Sequence, residues 1–137
     1  MSLFNVIDVA GNAMNAQSVR LNVTASNLAN AGSVSGDPAA VYRARQPVFE
    51  TFRQTLDHES GIASVRVAGI VESPAPLQLR YQPDHPEADA DGNVYVSNVN
   101  AVEEMVNMLS ASRSYKNSVE IINTTKDLLL QTLSMGR

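Results

Sequence analysis

Residues 101–133, AVEEMVNMLSASRSYKNSVEIINTTKDLLLQTL, contain neither proline nor glycine and repeat with a seven-residue period. One row of the repeat is Ala101, Met108, Tyr115, Ile122 and Leu129; the other is Met105, Ser112, Val119, Lys126 and Leu133. Only Ser112 and Lys126 among these are polar, so the stretch reads as a coiled-coil helix about 50 Å long at 1.5 Å per residue. Asn100 stands before it with Glu103 three positions on, close to the pairing of cap residue and acid that begins a helix.

The same period occupies the other end of the chain. Residues 3–31 carry no proline and a single glycine, Gly11, with Ile7, Met14, Leu21 and Leu28 recurring every seven positions. Three residues before each stand Phe4, Gly11, Ser18 and Ala25, mostly small, which admits a second helix at close range. Gly32 is a plausible stop, and the helix would be about 43 Å long. The two ends are therefore expected to pair with each other as a discontinuous coiled coil.

All six prolines fall between Ser33 and Ser97, which excludes long helices there. Tyr42 to Phe52 and Ile62 to Glu72 are rich in β-formers, and Leu77 to Tyr81 and Val94 to Val96 are short strand candidates. Ser33 to Pro38 reads as a connector, and Gln54 to Gly61 as a polar loop. The expected fold is mainly α with a small β insertion, an α+β chain. It divides into an N-terminal coiled-coil helix (1–32), a β-rich middle module with loops (33–97) and a C-terminal coiled-coil helix (98–137) that pairs with the first.

Composition narrows the function. With 137 residues, 44% apolar and 18% charged, the chain is neither a highly charged disordered tail nor a membrane-spanning protein. Ten basic residues, scattered among fourteen acidic ones, argue against nucleic acid as a partner. Cysteine is absent, so disulfides, thiol catalysis and zinc–thiolate sites are excluded. The start of the chain lacks the charged and apolar regions of a cleavable secretory signal, so export would need another route.

Little in the sequence suggests catalysis. His58 and His85 are not in metal-ligand spacing, no G-x-S-x-G or phosphate-cradling glycine loop occurs, and Glu103-Glu104 at a helix start suits the helix dipole. No enzyme activity, cofactor or metal is expected. The sharpest polar cluster, Asp84 to Gly92, resembles half a calcium loop, but its twelfth position would be Asn98, which cannot supply a bidentate carboxylate. An acidic turn is the plainer reading; a calcium-responsive binding module on this loop is the alternative function.

Two features point to assembly. Val102, Val106, Leu109, Ile121, Leu128 and Leu130 lie off the heptad rows and would stay exposed in a two-helix pair. Nine asparagines in the helical segments, Asn27 and Asn30 among them, are unfavourable for helix propensity; amides contacting neighbouring helices would account for them, while for any single one a solvated amide is the plainer reading. The residues expected to form the seam and assembly surface are Ile7, Met14, Leu21, Asn27, Leu28 and Asn30, with Met105, Met108, Tyr115, Val119, Ile122, Leu129 and Leu133.

The run Ala25-Ser26-Asn27-Leu28-Ala29-Asn30-Ala31 resembles the signature of bacterial flagellar axial proteins, those of rod and hook. Pro83-Asp84-His85-Pro86-Glu87, Asn98-Val99-Asn100 and Ser110-Ala111-Ser112-Arg113-Ser114-Tyr115 narrow the likeness to the proximal rod. It covers about residues 3–31, 42–50 and 66–135. The chain departs from the family pattern at Gly32-Ser33-Val34, Asn93 and Ser118. The resemblance implies a non-enzymatic structural subunit of the basal-body rod in the periplasm, exported through the flagellar export apparatus. Its partners would be other rod proteins and copies of itself, with the terminal helices forming the inner tube of a torque-transmitting shaft.

Overall fold

The computed structural model describes residues 3–53 and 63–136; the expected polar loop at Gln54 to Gly61 lies outside them. Helix α1 spans Leu3–Ala29 and helix α2 spans Ala101–Met135. Between them run β1 (Val34–Ser35), β2 (Arg45–Arg53), β3 (Ala63–Glu72), β4 (Gln78–Tyr81) and β5 (Asn93–Val96). The architecture is mainly α with a β insertion, as the proline distribution requires. Asn100 caps α2: its side chain accepts from the N–H groups of Val102 (3.1 Å) and Glu103 (3.4 Å).

The helices pack side by side and run in opposite directions. Arg20 of α1 donates to Asn107 of α2 at 3.2 Å, and Thr24, one turn further along α1, lies beside Glu103 and Glu104, one turn earlier in α2. At 35 residues α2 outruns the 27-residue α1, by about 12 Å.

The helix pair corrects the expected seam by rotation. Ala101, Met108, Tyr115, Ile122 and Leu129 are all half-buried, as the first row requires. The second buried row, however, stands three residues after the first rather than four: Glu104, Ala111, Ser118 and Thr125. Met105 is 56% exposed and Leu133 70% exposed, so neither belongs to the pairing face; Val119 and Ser112 are half-buried at its margin, and Lys126 is exposed. Helix α1 turns the same way. Ile7, Met14, Leu21 and Leu28 are half-buried, and the deepest positions are Ala10, Ala16, Val23, Thr24 and Asn27, whereas Phe4 and Ala25 face outward.

The physical reason is close approach. A seam of alanine, serine and threonine lets two backbones come together, and an apolar pattern alone favours the larger side chains one position away. Hydroxyls in this seam need local partners, and find them in their own helix. Thr24 donates to the carbonyl oxygen of Arg20 or Leu21 (both 3.0 Å), Ser118 to that of Ser114 (3.1 Å) and Thr125 to that of Ile121 (2.7 Å).

The insertion forms two separate sheets. β2 and β3 pair as an antiparallel hairpin with an irregularity between Val48 and Phe49, and the hairpin packs on α1. Arg45 faces Glu72 and Arg66 faces Glu50 as cross-strand ion pairs. A second antiparallel sheet has the order β1-β5-β4, with Val94 and Val96 of its central strand buried. β1 falls in the segment expected to be a connector. Its two residues are set by pairing with Tyr95 and Val96 rather than by any period of their own.

Candidate assembly interface

Three asparagines tie the helices to the β insertion. Asn27 is 1% exposed, and its carboxamide oxygen accepts from the Arg45 N–H (2.9 Å) and the Tyr42 hydroxyl (2.8 Å), while its amide donates to the Arg45 carbonyl (2.8 Å). Asn98 accepts from the Ala44 N–H (2.8 Å) and donates to the Ala75 carbonyl (2.9 Å). Asn12 donates to Ser64 of β3 at 2.9 Å. A neutral side chain with a donor and an acceptor on one plane can satisfy both groups of a peptide, a task no charged residue performs.

Asn27 and Asn30 therefore have work inside the subunit. Asn30 donates to the Ser26 carbonyl at 2.8 Å and closes the last turn of α1. Asn15, Asn22, Asn117 and Asn123 are the amides that α1 and α2 present outward. Asn98 and Arg20 escaped the sequence reading. The signal was the Asn98-Val99-Asn100 run: one asparagine caps α2, and a second so close needs another role.

The acidic segment is built as a turn. One carboxylate oxygen of Asp89 accepts from the N–H groups of Asp91 (3.0 Å) and Asn93 (2.8 Å), and His85 Nδ1 accepts from the Glu87 N–H at 3.1 Å. Gly92 has φ +76°, the left-handed geometry that suits glycine. Among the described residues no three histidine, aspartate or glutamate side chains converge as a metal site.

The outward surface is the more informative one. Val102, Met105, Val106 and Leu109 form an exposed apolar stripe on the first two turns of α2, on the side away from α1. At the far end Leu128, Leu130, Leu133 and Met135 are exposed as well. The exposure expected of Val102, Val106, Leu109, Ile121, Leu128 and Leu130 is present in every case. On the hairpin, Val48, Phe49, Ile70 and Val71 add further apolar surface. So much exposed apolar surface on a chain of this size marks an interaction surface. No described helix is long and apolar enough to cross a membrane.

Comparison with known proteins gives this surface its context. The chain is 53% identical to the flagellar basal-body rod protein FlgC of Yersinia enterocolitica and 50% identical to that of Salmonella typhimurium, with the whole of each chain covered. That of Buchnera aphidicola from Acyrthosiphon pisum is 41% identical, with 99% of each chain covered. The chain belongs to the FlgC family of flagellar basal-body rod proteins. Two family models fall on the two helical ends. Residues 7–36 match the flagella basal body rod protein model, and residues 90–135 match the C-terminal region of the flagellar basal body rod FlgEFG proteins. A FlgC-family chain is a structural subunit of the basal-body rod and not an enzyme, and it assembles with other rod components. Neither family model reaches the hairpin between the helical ends.

Proposed function

We propose that the chain polymerises through its two terminal helices into the torque-transmitting shaft of the proximal rod, alongside other rod proteins and copies of itself. In this reading segments 1–32 and 98–137 form one functional unit, a coiled-coil pair lining the shaft, and 33–97 is a β module set outside it. The observation that carries the reading is the two-sided character of α2. One side is closed by α1 through Met108, Ala111, Tyr115 and Ile122, and the other presents Val102, Met105, Val106 and Leu109. A helix apolar on both sides is built to be covered twice.

Many such contacts, each heterologous, extend as a helical array rather than closing into a dimer. Export through the flagellar apparatus belongs to the same reading. The rows Ile7, Met14, Leu21, Leu28 and Met108, Tyr115, Ile122, Leu129 hold the pair together. Met105 and Leu133 serve contacts between subunits. Electron microscopy of basal bodies from a strain lacking this chain, beside the complemented strain, tests the reading. Rods should be missing and return on complementation; intact rods in the deletion strain would overturn it.

A further inference from the structure

One polar group in the fold is out of place. Glu104 occupies a seam position where small residues otherwise stand, is 7% exposed, and its Oε2 is shielded from solvent without a hydrogen-bond partner among the described residues. A carboxylate buried in that state costs more than a neutral amide would, so a donor is needed to offset it. Glu104 lines a recess of about 410 Å³ between α1, the first turns of α2 and β2, together with Glu103, Pro47 and Phe49. Two cations also line the recess, but neither is ion-paired with Glu103 or Glu104: Arg20 donates to Asn107, itself a lining residue, and Arg45 pairs with Glu72 at 3.3 Å while lying over the Tyr42 ring. The recess thus offers two carboxylates that have no ion-pair partner among the described residues, with Pro47 and Phe49 as its apolar part.

The complement lies on the same chain. Arg113 and Lys116 are exposed on α2 and have no hydrogen bond or ion pair among the described residues. Arg113 stands four residues after Leu109, so it continues the outward stripe of Val102, Met105, Val106 and Leu109. We propose that the recess receives Arg113 of a second copy of the chain, with the neighbour's Leu109 set against Pro47 and Phe49. A guanidinium carries five donors in a planar fork, enough to serve both glutamates at once. The contact joins two different faces of the chain, so it propagates from copy to copy. It deepens the proposed polymerisation and rests on it.

The absence of cysteine supplies a clean test. Positions 103 and 113 are both exposed, and ten residues along one helix sets them about 15 Å apart, too far for a disulfide within one chain. The double variant Glu103→Cys with Arg113→Cys, expressed in the deletion strain and oxidised in purified basal bodies, should lose its monomer band to a ladder of covalent multimers. Each single variant should stay free of that ladder. A double variant present in basal bodies but monomeric after oxidation, or linked to a different protein, would overturn the contact and leave the rod assignment standing. Basal bodies with intact rods and no subunit would overturn both. Independently, Arg113→Glu should reduce the amount of subunit recovered in basal bodies, and adding Glu103→Arg to it should restore recovery. Unchanged recovery in the single variant, or no restoration in the pair, overturns the contact as well.

Discussion

Asn27, in the last turn of α1, grips Arg45 at the start of β2 by both polar groups of its backbone, accepting from its N–H at 2.9 Å and donating to its carbonyl at 2.8 Å. The peptide of Arg45 is thereby paired as a neighbouring strand would pair it, but by a helix side chain. One residue earlier, the Ala44 N–H is taken by Asn98, from the segment just before α2. Asparagines from the two ends of the chain thus hold consecutive residues of the insertion. The insertion cannot shift along the helix pair without breaking both.

Asn27→Ala removes one donor and one acceptor and leaves two backbone groups unsatisfied in a part-buried setting, so it should cost about 2–4 kcal/mol. Asn27→Asp keeps the acceptor but sets a carboxylate oxygen against the Arg45 carbonyl, and should recover little. Thermal unfolding followed by circular dichroism checks both. A loss within 0.5 kcal/mol for Asn27→Ala would mean that the clamp carries no stability.

Gly36 lies where the end of β1 meets the loop before β5. A Cβ there would stand 2.5 Å from the backbone oxygen of Glu87 and 3.3 Å from the Asp89 nitrogen. Neither atom is the end of a flexible side chain, so Gly36→Ala should destabilise by about 1–3 kcal/mol. Gly92→Ala meets the strain of φ +76°, the Tyr81 ring at 3.0 Å and Pro83 at 3.1 Å, and should cost at least about 1–2 kcal/mol. Urea midpoints at constant slope measure both losses; an unchanged midpoint for Gly36→Ala would show that the loop gives way freely.

Asp89→Ala should loosen the turn before β5, because one carboxylate oxygen holds the N–H groups of Asp91 and Asn93. A cost of about 1–2 kcal/mol is expected, the same with and without calcium. Calorimetric titration of the unsubstituted protein with calcium should be flat. Heat evolved with saturation would favour the calcium-responsive reading instead.

How much of this was legible depends on whether a feature is local. The helices at 3–29 and 101–135 follow from a seven-residue period in which every residue has neighbours of known spacing, and Asn100 declared its cap within three residues. Strands β2 and β3 fall almost where Tyr42 to Phe52 and Ile62 to Glu72 placed them. The seam was legible to within one residue. Ala101, Met108 and Tyr115 are common to both alternatives, but the choice between Met105 and Glu104 as the companion turns on how near α1 comes. Distance of that kind is set by Ala10, Ala16 and Thr24 on the other helix, not by the pattern of α2 itself. Asn27 was visible as an unusual helical amide and Asn98 only as part of its Asn98-Val99-Asn100 run, without a structural task for either, since their partners lie far along the chain.

The rotation of the seam separates two properties that a single row would confound, folding and assembly. Met108 is half-buried against α1, whereas Met105, three residues away, is exposed. Met108→Asp places a charge in the seam and should cost the isolated subunit about 2–4 kcal/mol. Leu21→Asp, half-buried on the facing helix, should do the same. Met105→Asp should leave thermal stability within about 0.5 kcal/mol of the original, because its carboxylate stays in water. It should nevertheless abolish incorporation into basal bodies, since the charge enters the stripe of Val102, Val106 and Leu109. Motility, subunit secretion and melting temperature measured together distinguish the cases. If Met105→Asp cells swim normally with wild-type levels of exported subunit, the outward stripe is not an assembly surface, whatever its composition.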